Sequence, residues 1–327
     1  MPKILIIRFS SIGDIVLTTP VIRMAKEQIP GSEVHFLTKK SFHSIVKSNP
    51  FIDKCFLVED NLSEVIEKLK EEKYDFVVDL HKNLRSSKVK RALKTPSKSF
   101  EKLNIEKWML VNLKQNRMPD IHIVERYLET LESFGVKNDN KGLDYFIDSA
   151  DEVSLSDLPE THQNGYVGWV IGGSYFTKML PADKIVEVLR KTEQPIVLIG
   201  GPEDAEKGEE ICLKIGAQVF NSCGKYSLNQ SASLVKQATK ILTNDTGLMH
   251  IAAAFKKPIL SFWGNTVPEF GMTPYQPQKS EGSKIMEVKD LRCRPCSKLG
   301  YKKKCPKKHF YCMQLHDVSE IVEWIER

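Results

Sequence analysis

Four short stretches gather the residue types that do chemistry, and each follows an apolar run: Ser10–Asp14, Gly172–Lys178, Gly200–Asp204 and Asn244–His250. In the first, Gly13 permits close backbone approach at a helix start. Asp14 stands where a carboxylate either caps that helix or takes a proton from an acceptor hydroxyl. No G-x-G-x-x-G accompanies it, so a dinucleotide fingerprint is not supported. Gly172-Gly173-Ser174-Tyr175-Phe176-Thr177-Lys178 lacks Walker A spacing. Glycines, hydroxyls and a lysine at a helix start nonetheless suit a diphosphate, because unpaired amides and the helix dipole face the anion. The plainer alternative is a turn with an exposed lysine. In Asn244-Asp245-Thr246-Gly247-Leu248-Met249-His250, the Asp, Thr and Gly offer an N-cap and further donors for phosphate oxygens. His250 lies one turn into the expected helix, where a lone histidine is often structural.

The elements that must position these loops alternate regularly. Lys3–Phe9, Glu33–Thr38, Lys54–Val58 and Phe76–Leu80 read as strands, with helices over Ile15–Gln28, Phe42–Ser48 and Leu62–Glu72. Residues 85–135 read as helical or irregular, and Tyr145–Ile147 as one more short strand. A polar stretch over 148–165 reads as a linker, after which the alternation restarts. Strands are expected at Tyr166–Ile171, Pro195–Ile199, Gln218–Phe220, Lys240–Thr243 and Pro258–Trp263, with a closing helix at Val318–Glu326. Such βαβ repetition implies parallel sheets. With 327 residues, two doubly wound α/β domains are expected, 1–155 and 156–327, in preference to one large domain. In such sheets ligands bind beyond the carboxyl ends of the strands.

The net charge of +6 conceals two basic patches. Residues 82–117 hold eleven Lys/Arg against two Glu, and residues 291–308 hold eight with no acid. Each patch is either a solvated face or a surface for an anionic partner. The first lacks the interleaved aromatics of a base-stacking surface, so nucleic acid is not expected. A composition of 41% hydrophobic and 28% charged residues excludes a disordered or collagen-like chain. No apolar stretch is long enough to cross a bilayer, and MPKILIIRFSSIGD carries no small-residue cleavage site. The expected location is cytoplasmic. Of seven cysteines, Cys55, Cys212 and Cys223 are scattered. Cys293, Cys296, Cys305 and Cys312 lie in the Cys/Lys-rich segment 291–313, with one C-x₂-C pair, and form a candidate tetrahedral zinc site of structural character. Disulfides and free thiols are the alternatives.

Taken together and in order, SSIGD, GGS-x₃-K, GGPED and NDTGLMHIAAAFKKP resemble the lipopolysaccharide heptosyltransferases, glycosyltransferase family 9. The resemblance spans nearly the whole chain. It implies a GT-B fold, two Rossmann-like domains facing a cleft, with the acceptor on the N-terminal side and the nucleotide sugar on the C-terminal side. It places the family's catalytic carboxylate on Asp14. It places the family's phosphate-binding lysine on Lys178 and its D-T/S-G-x-x-H segment on Asp245, Thr246, Gly247 and His250; Gly172, Gly173, Ser174, Thr177, Gly201, Glu203 and Leu248 complete the candidate donor side. Ser11, Gly13, His81, Lys82 and Arg85 fall on the acceptor side. Where some members carry paired threonines before the lysine, this chain has Gly173-Ser174.

The function this implies is inverting transfer of a sugar, heptose from ADP-heptose, to a lipopolysaccharide core acceptor. No cofactor is required for such catalysis. The expected partners are a nucleotide-sugar donor, an anionic glycolipid acceptor and the inner face of the cytoplasmic membrane. A sugar-nucleotide epimerase on the same scaffold and a non-catalytic basic binding protein are the alternatives.

Overall fold

Apolar runs of four or five residues, closed by small or polar residues, become the central strands of two all-parallel sheets. The computed structural model describes residues 1–278 and 282–327. It divides into two units, Met1–Leu103 with Ile121–Phe146, and Asn104–Asp120 with Ile147–Arg327. In chain order the first part runs β1 (Lys3–Ile7), α1 (Ile12–Val16), α2 (Thr19–Gln28), β2 (Glu33–Lys39), β3 (Lys54–Val58), α3 (Leu62–Glu71), β4 (Phe76–Asp79), α4 (Leu84–Leu93) and β5 (Ser97–Ser99). Then come α5 (Asn104–Leu113), which belongs to the second unit, and α6 (Ile123–Leu128), which belongs to the first. The expected helix at Phe42–Ser48 is a 3₁₀ turn over Lys40–Ile45.

The first sheet has the order β3-β2-β1-β4-β5. Ile4 to Ile7 of β1 are completely buried, because helices cover both faces of the sheet. This is why the strand reads as an unbroken apolar run. The expected strand at Tyr145–Ile147 does not form. The preceding backbone is drawn instead onto α2, where Asp144 N donates to Thr19 Oγ1 at 2.9 Å and the Asp144 carboxylate pairs with buried Arg23.

The second unit continues α7 (Glu160–Gln163), β6 (Val167–Val170), α8 (Ala182–Leu189), β7 (Ile196–Ile199), α9 (Ala205–Ile215), β8 (Val219–Asn221), α10 (Leu228–Gln237), β9 (Lys240–Asn244), α11 (Gly247–Ala254), β10 (Ile259–Trp263), β11 (Lys284–Glu287), α12 (Tyr311–Gln314) and α13 (Val318–Glu326). Its sheet order is β11-β10-β9-β6-β7-β8. Trp169, Leu198, Leu242, Leu260 and Phe262 pack in one core with Ile185 and Leu189 of α8 and Ile321 and Ile325 of α13. Among the described residues, no helix is long and apolar enough to cross a membrane.

The units divide between Phe146 and Ile147, earlier than the expected 155/156 boundary. The cause lies in the polar stretch read as a linker, part of which is docked on α10. Val153 N donates to Ser233 Oγ at 3.0 Å, Asn229 Nδ2 donates to Asp151 at 3.0 Å, and Lys236 pairs with Glu152. Asn104–Asp120 likewise joins the second unit, because Leu110, Val111 and Met118 pack on Val267 and Phe270.

Candidate functional site

Strand order dictates where each unit can bind a ligand. In the first sheet β1 lies between β2 and β4, so successive connections leave it in opposite directions. The crevice opens at the carboxyl ends of β1 and β4. The loops there are Ser10–Asp14 and the segment from Leu80 to Arg85. In the second sheet β6 and β9 hold the equivalent places, and their loops are Gly172–Lys178 and Asn244–His250. Three of the four stretches picked from sequence therefore lie at switch points.

In the first unit Asp14 caps α1 and is also gripped from below. Its Oδ2 accepts from the Ser11 hydroxyl at 2.7 Å and from the Ser11 amide at 3.2 Å. Its Oδ1 pairs with Arg8 Nη2 at 2.7 Å. The Arg8 guanidinium is buried and also donates to the Leu80 carbonyl, to the Ser10 carbonyl at 2.8 Å and to Tyr127 Oη at 2.9 Å. Burial works against its charge, and Asp14, Tyr127 and Asp79 together outweigh that, so its pKa is raised. Arg8 thus ties the loop after β1 to the end of β4. Sequence reading passed over it because it follows an apolar strand as a single cation.

The loop after β4 is organised by Asp79, also missed. Its buried carboxylate accepts from the Lys82 amide at 2.7 Å and the His81 amide at 3.0 Å, and pairs with Lys90 at 3.0 Å. His81 packs edge-on against Phe9, with ring centroids 5.2 Å apart, and Arg85 lies over the same phenyl ring at 5.7 Å. Burial, with Arg8 and Lys102 nearby, pulls the His81 imidazole down to about 4. His81 is therefore neutral at physiological pH. Lys82 turns outward and pairs with Glu101 at 3.3 Å. Asp14, Ser11, Gly13, His81 and Arg85 gather at one crevice, whereas Lys82 contributes there mainly through its backbone.

In the second unit Lys178 and Asp245 meet. Lys178 Nζ stands 2.5 Å from Asp245 Oδ2, which also accepts from Thr266 Oγ1 at 2.8 Å. Buried Asn244 aligns the two loops. Its Nδ2 donates to the Gly172 carbonyl at 3.0 Å and the Ile171 carbonyl at 3.2 Å, while its Oδ1 accepts from Leu180 N at 3.1 Å. Thr246 takes the N-cap position of α11 without a side-chain cap, so the first-turn amides at Gly247 and Leu248 offer donors to an anion. His250 is buried within α11. Lys178 itself sits in a 3₁₀ turn over Phe176–Lys178, and α8 begins only at Ala182.

The other donor-side residues divide by role. Ser174 is exposed on the loop. Gly172 admits the Asp204 carboxylate where a Cβ would clash, and Asp204 also accepts from Gly201 N at 3.0 Å. Glu203 is exposed beside it. Lys207, unforeseen from sequence, donates to the Leu180 carbonyl at 2.8 Å and the Ile171 carbonyl at 3.2 Å, pinning both ends of the Lys178 loop. Burial pulls its ammonium down to about 8.

Thr177 faces the Cys/Lys-rich segment. Its hydroxyl accepts from Tyr301 N at 2.8 Å, and its amide donates to the Tyr301 carbonyl at 3.3 Å. Phe176 stacks on Phe310 at 4.9 Å, and Gly300, at φ +131°, leaves room for Tyr175. Residues 291–313 thus back the Lys178 loop. Cys305 and Cys312 are buried, while Cys293 and Cys296 are partly exposed. The four thiols are close enough for their charges to oppose one another, and burial pushes Cys312 up to about 12. His309 Nε2 lies 3.9 Å from Cys293 Sγ. The donor set is that of a thiolate site, although the four sulfurs are not drawn tightly together. Among the described residues, the one group of three candidate ligand atoms within 4.8 Å of one another is Glu33, His35 and Glu72. That cluster is already neutralised by Lys3 and Lys54.

The model of glycosyltransferase family 9 (heptosyltransferase) matches residues 62–305. A lipopolysaccharide heptosyltransferase 1 of Campylobacter coli is 27% identical over 290 residues, covering 81% of this chain and 84% of that one. The structure of a glycosyl transferase family 9 protein from Veillonella parvula superposes with a TM-score of 0.79 at 22% identity, covering 99% of this chain and 96% of the other. That of E. coli ADP-heptose LPS heptosyltransferase II gives 0.74 at 20% identity, covering 99% and 97%. These likenesses place the two parallel-sheet units in the GT-B fold.

Proposed function

The chain belongs to glycosyltransferase family 9, and from that premise we propose that it transfers heptose from ADP-heptose to the core of a lipopolysaccharide acceptor. The observation that carries this reading is the pairing of Lys178 with Asp245 beside the uncapped first turn of α11. A cation and outward amides at one switch point match the needs of a diphosphate leaving group. The named activities of the relatives support the choice of sugar and acceptor.

In this reading Lys178, Ser174 and the amides at Gly247 and Leu248 hold the diphosphate and neutralise the charge that grows on it as the glycosidic bond breaks. Asp245 holds the Lys178 ammonium in place. Asp14 takes the proton of the acceptor hydroxyl, which attacks the anomeric carbon from the face opposite the leaving group, so configuration inverts. Arg8 orients that carboxylate. Neutral His81, with Arg85, lines the acceptor crevice, where Arg85 and the basic stretch around it attract the acidic acceptor. No cofactor takes part in the chemistry. Cys293, Cys296, Cys305 and Cys312 would hold a structural metal behind the Lys178 loop. The enzyme works on the cytoplasmic side of the inner membrane and binds no nucleic acid.

The test is incubation with ADP-heptose, with and without a lipid A–core acceptor. Acceptor-dependent ADP release together with a heptosylated product is the expected result. Conversion of the donor alone would favour an epimerase instead.

A further inference from the structure

Helix α5 is apolar on two opposite faces, and only one of them is covered. Leu110 and Val111 pack on Val267 and Phe270 of the second unit. On the other side Ile105 is 72% exposed, Trp108 57% and Leu113 50%. At 3.6 residues per turn, Ile105 and Trp108 fall on one stripe, with Leu113 at its margin. Exposed apolar side chains grouped on the free side of a docked helix, with Asn112 also exposed among them, mark a face suited to a further partner.

The same helix is tied at both ends to the lysine-rich segment. Lys298 Nζ donates to Asn104 Oδ1 at 2.5 Å, and Lys114 Nζ donates to the Pro295 carbonyl at 2.6 Å. Beyond these ties Lys302, Lys303, Lys304, Lys307 and Lys308 are exposed, with Tyr301 and Leu299 also exposed among them. Residues 291–308 contain no acid, and among the described residues none of these five lysines is held in an ion pair. An exposed tryptophan and aliphatic stripe beside a polybasic loop combine two signals that each bind a bilayer weakly and together bind it stably.

We propose that α5 and the loop over residues 298–308 form one membrane-docking surface of the second unit, with an anionic phospholipid bilayer as its occupant. Ile105, Trp108 and Leu113 enter the interfacial layer, and the lysines contact lipid phosphates. The charge complementarity selects a bilayer over a second copy, because two copies would bring like-charged loops together. This surface gives a location to the membrane side of the function proposed above. It is tested without turnover, so its failure and that of the transferase reading are separable.

The experiment is flotation of the full chain with phosphatidylglycerol vesicles and with phosphatidylcholine vesicles. Binding to the anionic vesicles should be at least ~10-fold stronger and should fall steeply between low and physiological salt. Trp169, Trp263 and Trp324 are buried, so quenching of an exposed tryptophan by brominated lipid reports Trp108. Trp108→Gln with Ile105→Gln should abolish the quenching and weaken binding ~10-fold or more. Lys302→Gln with Lys303→Gln and Lys304→Gln should remove the preference for anionic lipid. Circular dichroism of each variant confirms folding, and wild-type quenching alone keeps the idea testable if a variant fails to fold. Equal binding to both vesicle types, unquenched tryptophan in bound protein, or a stable dimer burying Trp108 would each overturn it.

Discussion

The loop after β1 and the loop pair after β6 and β9 occupy equivalent places in their sheets, yet their charges are arranged in mirror image. In the first unit a carboxylate, Asp14, is held by a buried cation, Arg8. In the second a cation, Lys178, is held by a carboxylate, Asp245. The partners differ in depth. Arg8 is almost wholly buried and bonded to Ser10, Leu80 and Tyr127, so it orients Asp14 rigidly. Asp245 is only partly buried and shared with Thr266, so it holds Lys178 less rigidly than Arg8 holds Asp14. In the function proposed above, the first site places a single group for a proton transfer and the second receives charge. One fold can therefore serve two chemical tasks through what sits beneath each loop.

The largest effect should come from breaking the first arrangement. Asp14→Asn keeps the shape and removes the base, so kcat should fall ~10²–10⁴-fold while ADP affinity is unchanged. Loss of folding, or of ADP affinity in proportion, would assign Asp14 to helix capping alone. Breaking the second arrangement should act on binding. Lys178→Ala removes a charge that meets the phosphates in ground and transition states alike, so ADP affinity should fall roughly 10–100-fold, and kcat/KM with it. Unchanged ADP affinity in titration calorimetry would take Lys178 out of the site.

A third prediction sharpens the contrast in how the loops are supported. The Lys178 loop leans on residues 291–313 through Thr177–Tyr301 and Phe176–Phe310, whereas the Asp14 loop is held by its own sheet. If the four thiols bind a metal, chelation should lower the melting temperature by a few degrees and weaken ADP binding. Elemental analysis of reduced protein checks this first. Less than about one-tenth of an equivalent of any metal, with four reactive thiols, would leave them as free cysteines.

The smallest effect concerns the polar stretch docked on the second unit. His162 is fully buried, with Nε2 at 3.1 Å from the Ile196 carbonyl, and burial lowers its pKa from the ordinary 6.5. Below that value the unfolded chain binds a proton that the folded chain resists, so stability should fall as pH drops from ~6.5 toward the folded pKa. Denaturant melts of His162→Gln should show a flatter pH dependence there. An unchanged slope would mean that another group sets it.

Much of this was legible in the residues. β1, β4, β6, β7 and β10 stand out because both faces of a parallel sheet are buried, which makes their sequences continuous apolar runs. The loops after β1, β6, β7 and β9 stand out because glycines and small polar residues cluster there. β5, Ser-Lys-Ser, and β11, Lys-Ile-Met-Glu, were not legible, since short edge strands carry no such pattern. Arg8, Asp79, Asn244 and Lys207 were overlooked as supports because their roles depend on contacts across the sheet. The placement of α5 in the second unit was hidden for the same reason, since its partners Val267 and Phe270 are far away in sequence.

The separation of proton transfer from diphosphate binding is tested most directly by measuring acceptor-dependent ADP release and ADP affinity on the same preparations of wild type, Asp14→Asn and Lys178→Ala. The expected result is acceptor-dependent release by the wild type, loss of release with intact ADP affinity in Asp14→Asn, and weakened affinity in Lys178→Ala. Release at the wild-type rate by Asp14→Asn, or ADP binding by Lys178→Ala as tight as wild type, would contradict it.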